Sequence, residues 1–259
     1  PETGRLYQVD FPELTIEDIA KAGHQAMVAL GLQRLRAVVG TSLGGMAALA
    51  HAVTYPEQVD NLALVSAAPR ATASAIAVRS LQRQMIRSDP AWQDGYYDPA
   101  YPPLQGMLLA RKLGLISYRS AAEWEQRFGR RRRSDAGAAF DGEFEVESYV
   151  DANARKFVGS FDANSYLYLS RAMDWFDIDE HGGSFARAAG ALTTRHNLVI
   201  GVETDSLFPL SQQREIAETL RGARRDTDFR ALPSIQGHDA FLVDEAGFSP
   251  VLRRFFDQL

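Results

Sequence analysis

Val38-Val39-Gly40-Thr41-Ser42-Leu43-Gly44-Gly45-Met46 carries the pattern Gly-x-Ser-x-Gly between two runs of different character. Before it, Leu35-Arg36-Ala37-Val38-Val39 reads as a short buried strand; after it, Met46, Ala50 and Val53 recur at helical spacing in an alanine-rich run. A strand that ends and a helix that begins within one residue hold the serine between them in a strained backbone conformation, with its hydroxyl pushed out above the sheet. Such a turn needs small neighbours. Gly40 and Gly44, two residues either side of Ser42, are read as positions where a side chain would block the approach of strand and helix. Ser42 is the candidate nucleophile, and Leu43, opening the helix, offers a free backbone N–H to a developing oxyanion.

A serine hydroxyl is a poor nucleophile at neutral pH and needs an imidazole to take its proton, itself oriented by a carboxylate. Of five histidines, His24 and His51 fall within predicted helices and His181 and His196 in or at the edge of a helical middle region. His238 follows the last predicted strand in a loop. Asp205 sits just past the carboxyl end of the apolar run Asn197-Leu198-Val199-Ile200-Gly201-Val202. The order Ser42, Asp205, His238, with each residue at a strand end, is that of α/β-hydrolase triads.

The rest of the chain supplies a frame for them. Thr15-Ile16-Glu17-Asp18 has capping-box form, and Ile19, Ala22, Ala26, Met27 and Leu30 trace a helical face up to Gly31. Tyr55-Pro56-Glu57 ends the helix after Ser42, and Leu62-Ala63-Leu64-Val65 reads as a second strand. Helix, strand, helix, strand is the rhythm of a parallel α/β sheet. It breaks from residue 70 to 191, where helical stretches are predicted at Ala75–Arg87, Leu104–Leu115, Ala121–Phe128 and Val146–Phe157. We expect a helical cap over 70–191 inserted into an α/β core formed by 1–69 and 192–259. Past Asp205, Ser211 is expected to cap a helix, Phe229–Leu232 to form a last strand, and Ser249-Pro250 to open a closing helix.

Composition narrows the function classes. The 259 residues are 46% hydrophobic, enough for a full core, and the net charge of -5 gives no overall attraction to nucleic acid or an anionic membrane. The basic run Arg130 to Arg133 is expected to be a solvated loop or helix end. With no cysteine, disulfides and thiolate chemistry are excluded. No metal is expected, nor any Gly-x-x-x-x-Gly-Lys-Ser/Thr, Gly-x-Gly-x-x-Gly or His-Glu-x-x-His site. Neither a signal peptide nor a membrane span is visible, and a cytoplasmic location is the expectation. The loop-like opening Pro1-Glu2-Thr3-Gly4 reads as the middle of something longer.

Four separated stretches carry a closer resemblance: Gly40-Thr41-Ser42-Leu43-Gly44-Gly45-Met46, Ala110 to Ser120, Asp205-Ser206-Leu207-Phe208-Pro209, and Gly237-His238-Asp239-Ala240-Phe241-Leu242. Together they resemble the homoserine O-acetyltransferase family of α/β-hydrolase-fold acyltransferases, along nearly the whole chain. The resemblance implies that Ser42 is acylated from an acyl-CoA co-substrate, with His238 as base and Asp205 as its orienting partner. It implies acyl transfer to the side-chain hydroxyl of L-homoserine or L-serine, in methionine or cysteine biosynthesis. Arg111 and Tyr118 match the family's substrate-binding pair, the arginine positioned for the amino-acid carboxylate, and Asp239 matches the position that receives the substrate ammonium. The Thr41 and Leu43 variant of the elbow leaves acetyl or succinyl donor, and homoserine or serine acceptor, open. A homodimer through the helical cap is implied as well. Family members carry about a hundred further residues before the point matched by Pro1, including the first strands of the sheet and a second oxyanion N–H. Without them, Leu35–Val39 is expected to be an exposed apolar edge. The residues alone also leave open a hydrolase with the same triad, and a non-catalytic binding module, against which the strain of the elbow weighs.

Overall fold

The computed structural model describes residues 4–134 and 142–259. The chain enters through α1 (Ile16–Ala29), whose capping box is formed as expected: Thr15 Oγ1 accepts from the Asp18 N–H at 3.1 Å, and the Asp18 carboxylate accepts from the Thr15 N–H at 3.0 Å. Its apolar set is wider than the face that gets covered. Ile16, Ala20 and Met27 are buried, whereas Ala22, Ala26 and Leu30 face outward.

Strand β1 (Val38–Thr41) then leads through Ser42 into α2 (Leu43–Thr54), and β2 (Asn61–Val65) follows. The predicted strand is shifted toward the serine, and only an isolated bridge at Leu35 marks its expected start. The middle of the chain supplies α3 (Ala73–Arg87), α4 (Leu104–Tyr118), α5 (Ala121–Arg127), α6 (Glu145–Phe157), α7 (Ala163–Trp175) and α8 (Phe185–Ala191). The last two have no counterpart in the sequence reading. Arg131, from the basic run, pairs with Glu145 at 2.7 Å where α6 begins.

After this insertion come β3 (His196–Val202), α9 (Leu210–Gly222), β4 (Thr227–Leu232), α10 (Ala240–Val243) and α11 (Glu245–Asp257). Two helix starts differ from expectation. Ser211 lies inside α9, because Pro209, with its φ fixed at -56°, closes the preceding loop and hands over at Leu210. Pro250 lies inside α11, whose start is capped by Asp244 accepting from the Gly247 N–H at 3.0 Å. An interior proline costs about 3 kcal/mol. Phe248 and Phe255 on the same helix are buried against the sheet, which returns roughly 1.5–3 kcal/mol each.

The four strands are all parallel in the order β1-β2-β3-β4. Alternation assigns the faces. Leu62, Leu64 and Val199 join Met46, Leu49, Ile216 and Leu220 on one side, while Ala63, Val65, Leu198, Ile200 and Val202 meet Phe248 and Phe255 on the other. Among the described residues β1 is an edge, and Val39 on it is 46% exposed. The helices of 70–191 do not all share one layer: Phe185, Ala188 and Ala189 of α8 belong to the core beneath the sheet. The insertion is closed at its base. The Ile178 N–H donates to Pro69 O at 2.9 Å, and the Arg70 guanidinium meets Asp177, Asp179 and Glu215 at 3.1, 2.9 and 2.7 Å. Among the described residues no helix is long and apolar enough to cross a membrane.

Candidate active site

Ser42 occupies the turn between β1 and α2 with φ +52° and ψ -123°, a conformation that costs a non-glycine residue of order 1–3 kcal/mol. Hydrogen bonds on both sides hold it there: its N–H donates to Val65 O at 2.9 Å, and its carbonyl accepts from Gly45 and Met46 N–H at 2.9 and 3.1 Å. A Cβ at Gly40 would lie 2.2 Å from Gly44 O, so that glycine is obligatory, as expected. The second obligatory glycine is Gly45 rather than Gly44. A Cβ at Gly45 would lie 2.5 Å from Ala67 Cβ, whereas one at Gly44 meets no described atom within 4 Å, because Gly44 points away from the strand that α2 crosses.

The turn carrying His238 depends on another glycine. Gly237 has φ +67°, and a Cβ there would press to 2.7 Å from Tyr118 O at the end of α4. This close approach brings His238 to Ser42. Ser42 Oγ lies 2.8 Å from His238 Nε2, and His238 Nδ1 lies 2.7 Å from Asp205 Oδ2. A carboxylate oxygen accepts, so the geometry suits Nδ1 donating to Asp205 and Nε2 accepting from the serine hydroxyl. Asp205 is itself fixed, its Oδ1 accepting from Leu207 and Phe208 N–H at 2.9 and 2.8 Å. The Phe208 ring stacks on the imidazole at 4.8 Å, and Phe241 meets it edge-on at 5.7 Å. His238 and Asp205 are both buried.

Ser42, Leu43 and His238 open into a cavity of about 390 Å³ walled by α3, α4, α6 and α7. Arg111, Tyr118 and Asp239 line it too, so the seven sequence-predicted residues converge here, Asp205 standing behind the imidazole. Arg111 lies over the rings of Phe157 and Tyr118, at 4.5 and 5.6 Å. Its buried Nε has no acceptor, and among the described residues no carboxylate pairs with it. Asp239 Oδ2 is 3.4 Å from Arg119 Nε. Burial raises the pKa of Asp239, against the opposing pull of Arg119, His238 and Arg111; burial also raises that of Tyr118.

Sequence reasoning missed a further cation in this wall. Arg79 of α3 is 5% exposed and lines the cavity, its Nε 2.5 Å from Asp174 Oδ1; Arg83 reaches the other oxygen of Asp174 at 2.6 Å. The signal was a stripe of arginines at 79, 83 and 87, four apart on one helix. Spacing alone does not separate a buried stripe from a solvated one. Among the described residues no group of three or more His, Asp or Glu is arranged to hold a metal ion.

A strand–serine–helix elbow, a histidine and aspartate from later strand ends, and a parallel sheet with a helical insertion define an α/β-hydrolase-fold protein, and that family matches residues 3–243. At closer range, the chain is 51% identical over 259 residues to a serine O-succinyltransferase from Litchfieldella anticariensis, covering 98% of this chain and 71% of that protein. It is 51% identical over 263 residues to an L-serine/homoserine O-acetyltransferase from Streptomyces lavendulae, covering 98% and 70%. The crystal structure of homoserine O-acetyltransferase from Bacillus anthracis superposes with a TM-score of 0.89 at 26% identity, covering 98% of this chain and 68% of that one. The chain belongs to the serine and homoserine O-acyltransferase family of the α/β-hydrolase fold.

Proposed function

We propose that this chain moves an acyl group from an acyl-CoA thioester to the side-chain hydroxyl of L-serine or L-homoserine through an acyl-Ser42 intermediate. In the first half, Ser42 Oγ attacks the thioester carbonyl while its proton passes to His238 Nε2. The C–O bond forms, the C–S bond breaks, and the proton leaves with the CoA sulfur. In the second half, the acceptor hydroxyl gives its proton to His238, its oxygen attacks the acyl carbon, and Ser42 Oγ departs with that proton. Asp205 keeps the imidazole in the required tautomer, and the Leu43 N–H is one donor to the oxyanion. Tyr118 packs beside Arg111, and Asp239 receives the acceptor's ammonium. No resident cofactor enters the scheme.

One observation carries the choice of transfer over hydrolysis. Arg111, half-buried in the wall of the serine cavity, has a buried Nε with no acceptor and no carboxylate pairing it among the described residues, and a planar fork of donors is suited to an amino-acid carboxylate. Water needs no such group. The activities named for the relatives support the same reading. A role in methionine or cysteine biosynthesis, a cytoplasmic location and a homodimer through the helical insertion complete the proposal; Leu109 and Ile116, seven apart on α4, are exposed as such a contact needs. The test is a product assay with acetyl-CoA or succinyl-CoA and each of L-serine and L-homoserine. O-acylated amino acid exceeding free acid at least tenfold is expected. Free acid alone, at a rate indifferent to the amino acid, would make the chain a hydrolase.

A further inference from the structure

Strands β3 and β4 stay paired to their last residues, Val202 opposite Leu232, and the Glu203 N–H still donates to Leu232 O at 3.0 Å. Beyond that point the two segments part, yet Asp205 lies on one and His238 on the other, 2.7 Å apart at Oδ2 and Nδ1. Thr204 spans the gap. Its half-buried hydroxyl donates to Ser234 O at 2.6 Å and accepts from the Gly237 N–H at 3.1 Å, which uses its one proton and one of its lone pairs. The link runs between the immediate neighbours of acid and base, Thr204 before Asp205 and Gly237 before His238. From the other side Gly237 is stopped by the end of α4, where a Cβ on it would come to 2.7 Å from Tyr118 O and 2.8 Å from Ser120 N. The turn ahead of the imidazole is thus held between Thr204 and α4.

We propose that Thr204 is a positioning residue: its hydroxyl holds the turn that carries His238 at the spacing from which the imidazole meets Asp205 and Ser42 together. This rests on the acyl-transfer reading above and adds to it a residue outside the cavity lining. The other contacts of the turn do a different job. Ser120 Oγ donates to Ile235 O and the Arg119 guanidinium donates to Gln236 Oε1 at 2.8 Å, but both come from the helical insertion and tie the turn to the cavity wall rather than to the acid. The Asp205–His238 bond by itself fixes one distance and leaves the ring free to pivot. A displacement of about 1 Å in a reacting group costs on the order of 100-fold in rate, so a second link between the two segments has a direct chemical consequence.

The experiment uses the full chain with whichever of acetyl-CoA and succinyl-CoA the wild type turns over, and measures CoA release with L-serine or L-homoserine as acceptor. Thr204→Val keeps the shape of the side chain and removes both bonds. We expect kcat to fall about 10- to 100-fold with KM for the acyl-CoA within about twofold of wild type. Thr204→Ser, which restores the hydroxyl, retains at least about a third of wild-type kcat. In an Asp205→Asn background Thr204→Val costs less than about threefold, because the contact it serves is already lost. In wild type the Gly237 amide, held by Thr204, is protected from hydrogen exchange; exchange at the rate of an open loop overturns the proposal without any variant. So does an unchanged kcat in folded Thr204→Val, a Thr204→Ser variant as slow as Thr204→Val, or a full penalty in the Asp205→Asn background. CoA release from neither donor, or release that survives Ser42→Ala, overturns the acyl-enzyme reading itself, whereas release that needs Ser42 and ignores Thr204→Val overturns this inference alone.

Discussion

Arg111 lies over the rings of Phe157 and Tyr118 in the wall of the cavity, contacts that restrict the positions its planar fork can take. Arg111→Lys keeps the charge and loses the fork. We predict that kcat/KM for the acceptor falls about 10- to 100-fold, the scale of one or two charge-assisted hydrogen bonds, with the loss concentrated in deacylation rather than in the burst of CoA. Equal losses in both half-reactions, measured by stopped flow, would make Arg111 a support for the helical layer. At this scale the sequence was most legible where chemistry dictates residue type. Ser42, Asp205 and His238, which the fold brings within hydrogen-bond reach of one another, could be picked out because the proposed nucleophile, orienting acid and base would each sit at a strand end, in the chain order of this architecture. Arg119 beside Asp239 was not legible, since that pair exists only because Gly237 lets its turn press against the end of α4. Arg79 was hidden by its similarity to any solvated arginine on an amphipathic helix.

At the scale of elements, α2 offers two tests. Gly45→Ala forces a methyl to 2.5 Å from Ala67 Cβ, and we predict a loss of about 1–3 kcal/mol in denaturant unfolding. Gly44→Ala meets open space in a helical position and should be neutral or stabilising by up to about 1 kcal/mol. Equal destabilisation by the two would contradict the assignment of Gly45 as the close-approach residue. The same helix buries His51, whose ring is 3.3 Å from Ala20 O through Nδ1. Burial pushes its pKa below the ordinary 6.5, although the bond to Ala20 O opposes the shift. The unfolded chain therefore binds a proton before the folded one does, and this contribution to stability is full above about pH 6.5 and declines as pH falls toward the lowered folded value. Unfolding midpoints of wild type and His51→Gln should converge on acidification, with the variant losing this part of the slope; parallel curves would rule it out. Helices with a clear stripe and a cap were legible in advance, and β2, β3 and β4 gained only one or two residues each. Helix α7 was missed because its apolar residues are interleaved with Asn, Ser and Tyr, and Pro250 was misjudged because burial of Phe248 and Phe255 overrides a local propensity.

Across the whole molecule, the site is made by closing a helical insertion over the ends of a parallel sheet. Pro69–Arg70 and Asp177–Ile178 meet at the base of these helices, and α3, α4, α6 and α7 wall the cavity above Ser42. An interrupted sheet rhythm made the run of helices between β2 and β3 legible. The meeting at its base was not, because it joins residues more than a hundred positions apart through one backbone bond and one arginine. The covalent intermediate is the central claim, and intact-mass spectrometry of the full chain after incubation with acyl-CoA, without acceptor, tests it most directly. A mass increase of one acyl group is expected, located to the peptide containing Ser42, lost on addition of L-serine or L-homoserine, and absent in Ser42→Ala. Turnover to O-acylated amino acid with no adduct on wild type, or an adduct that persists in Ser42→Ala, would contradict the account.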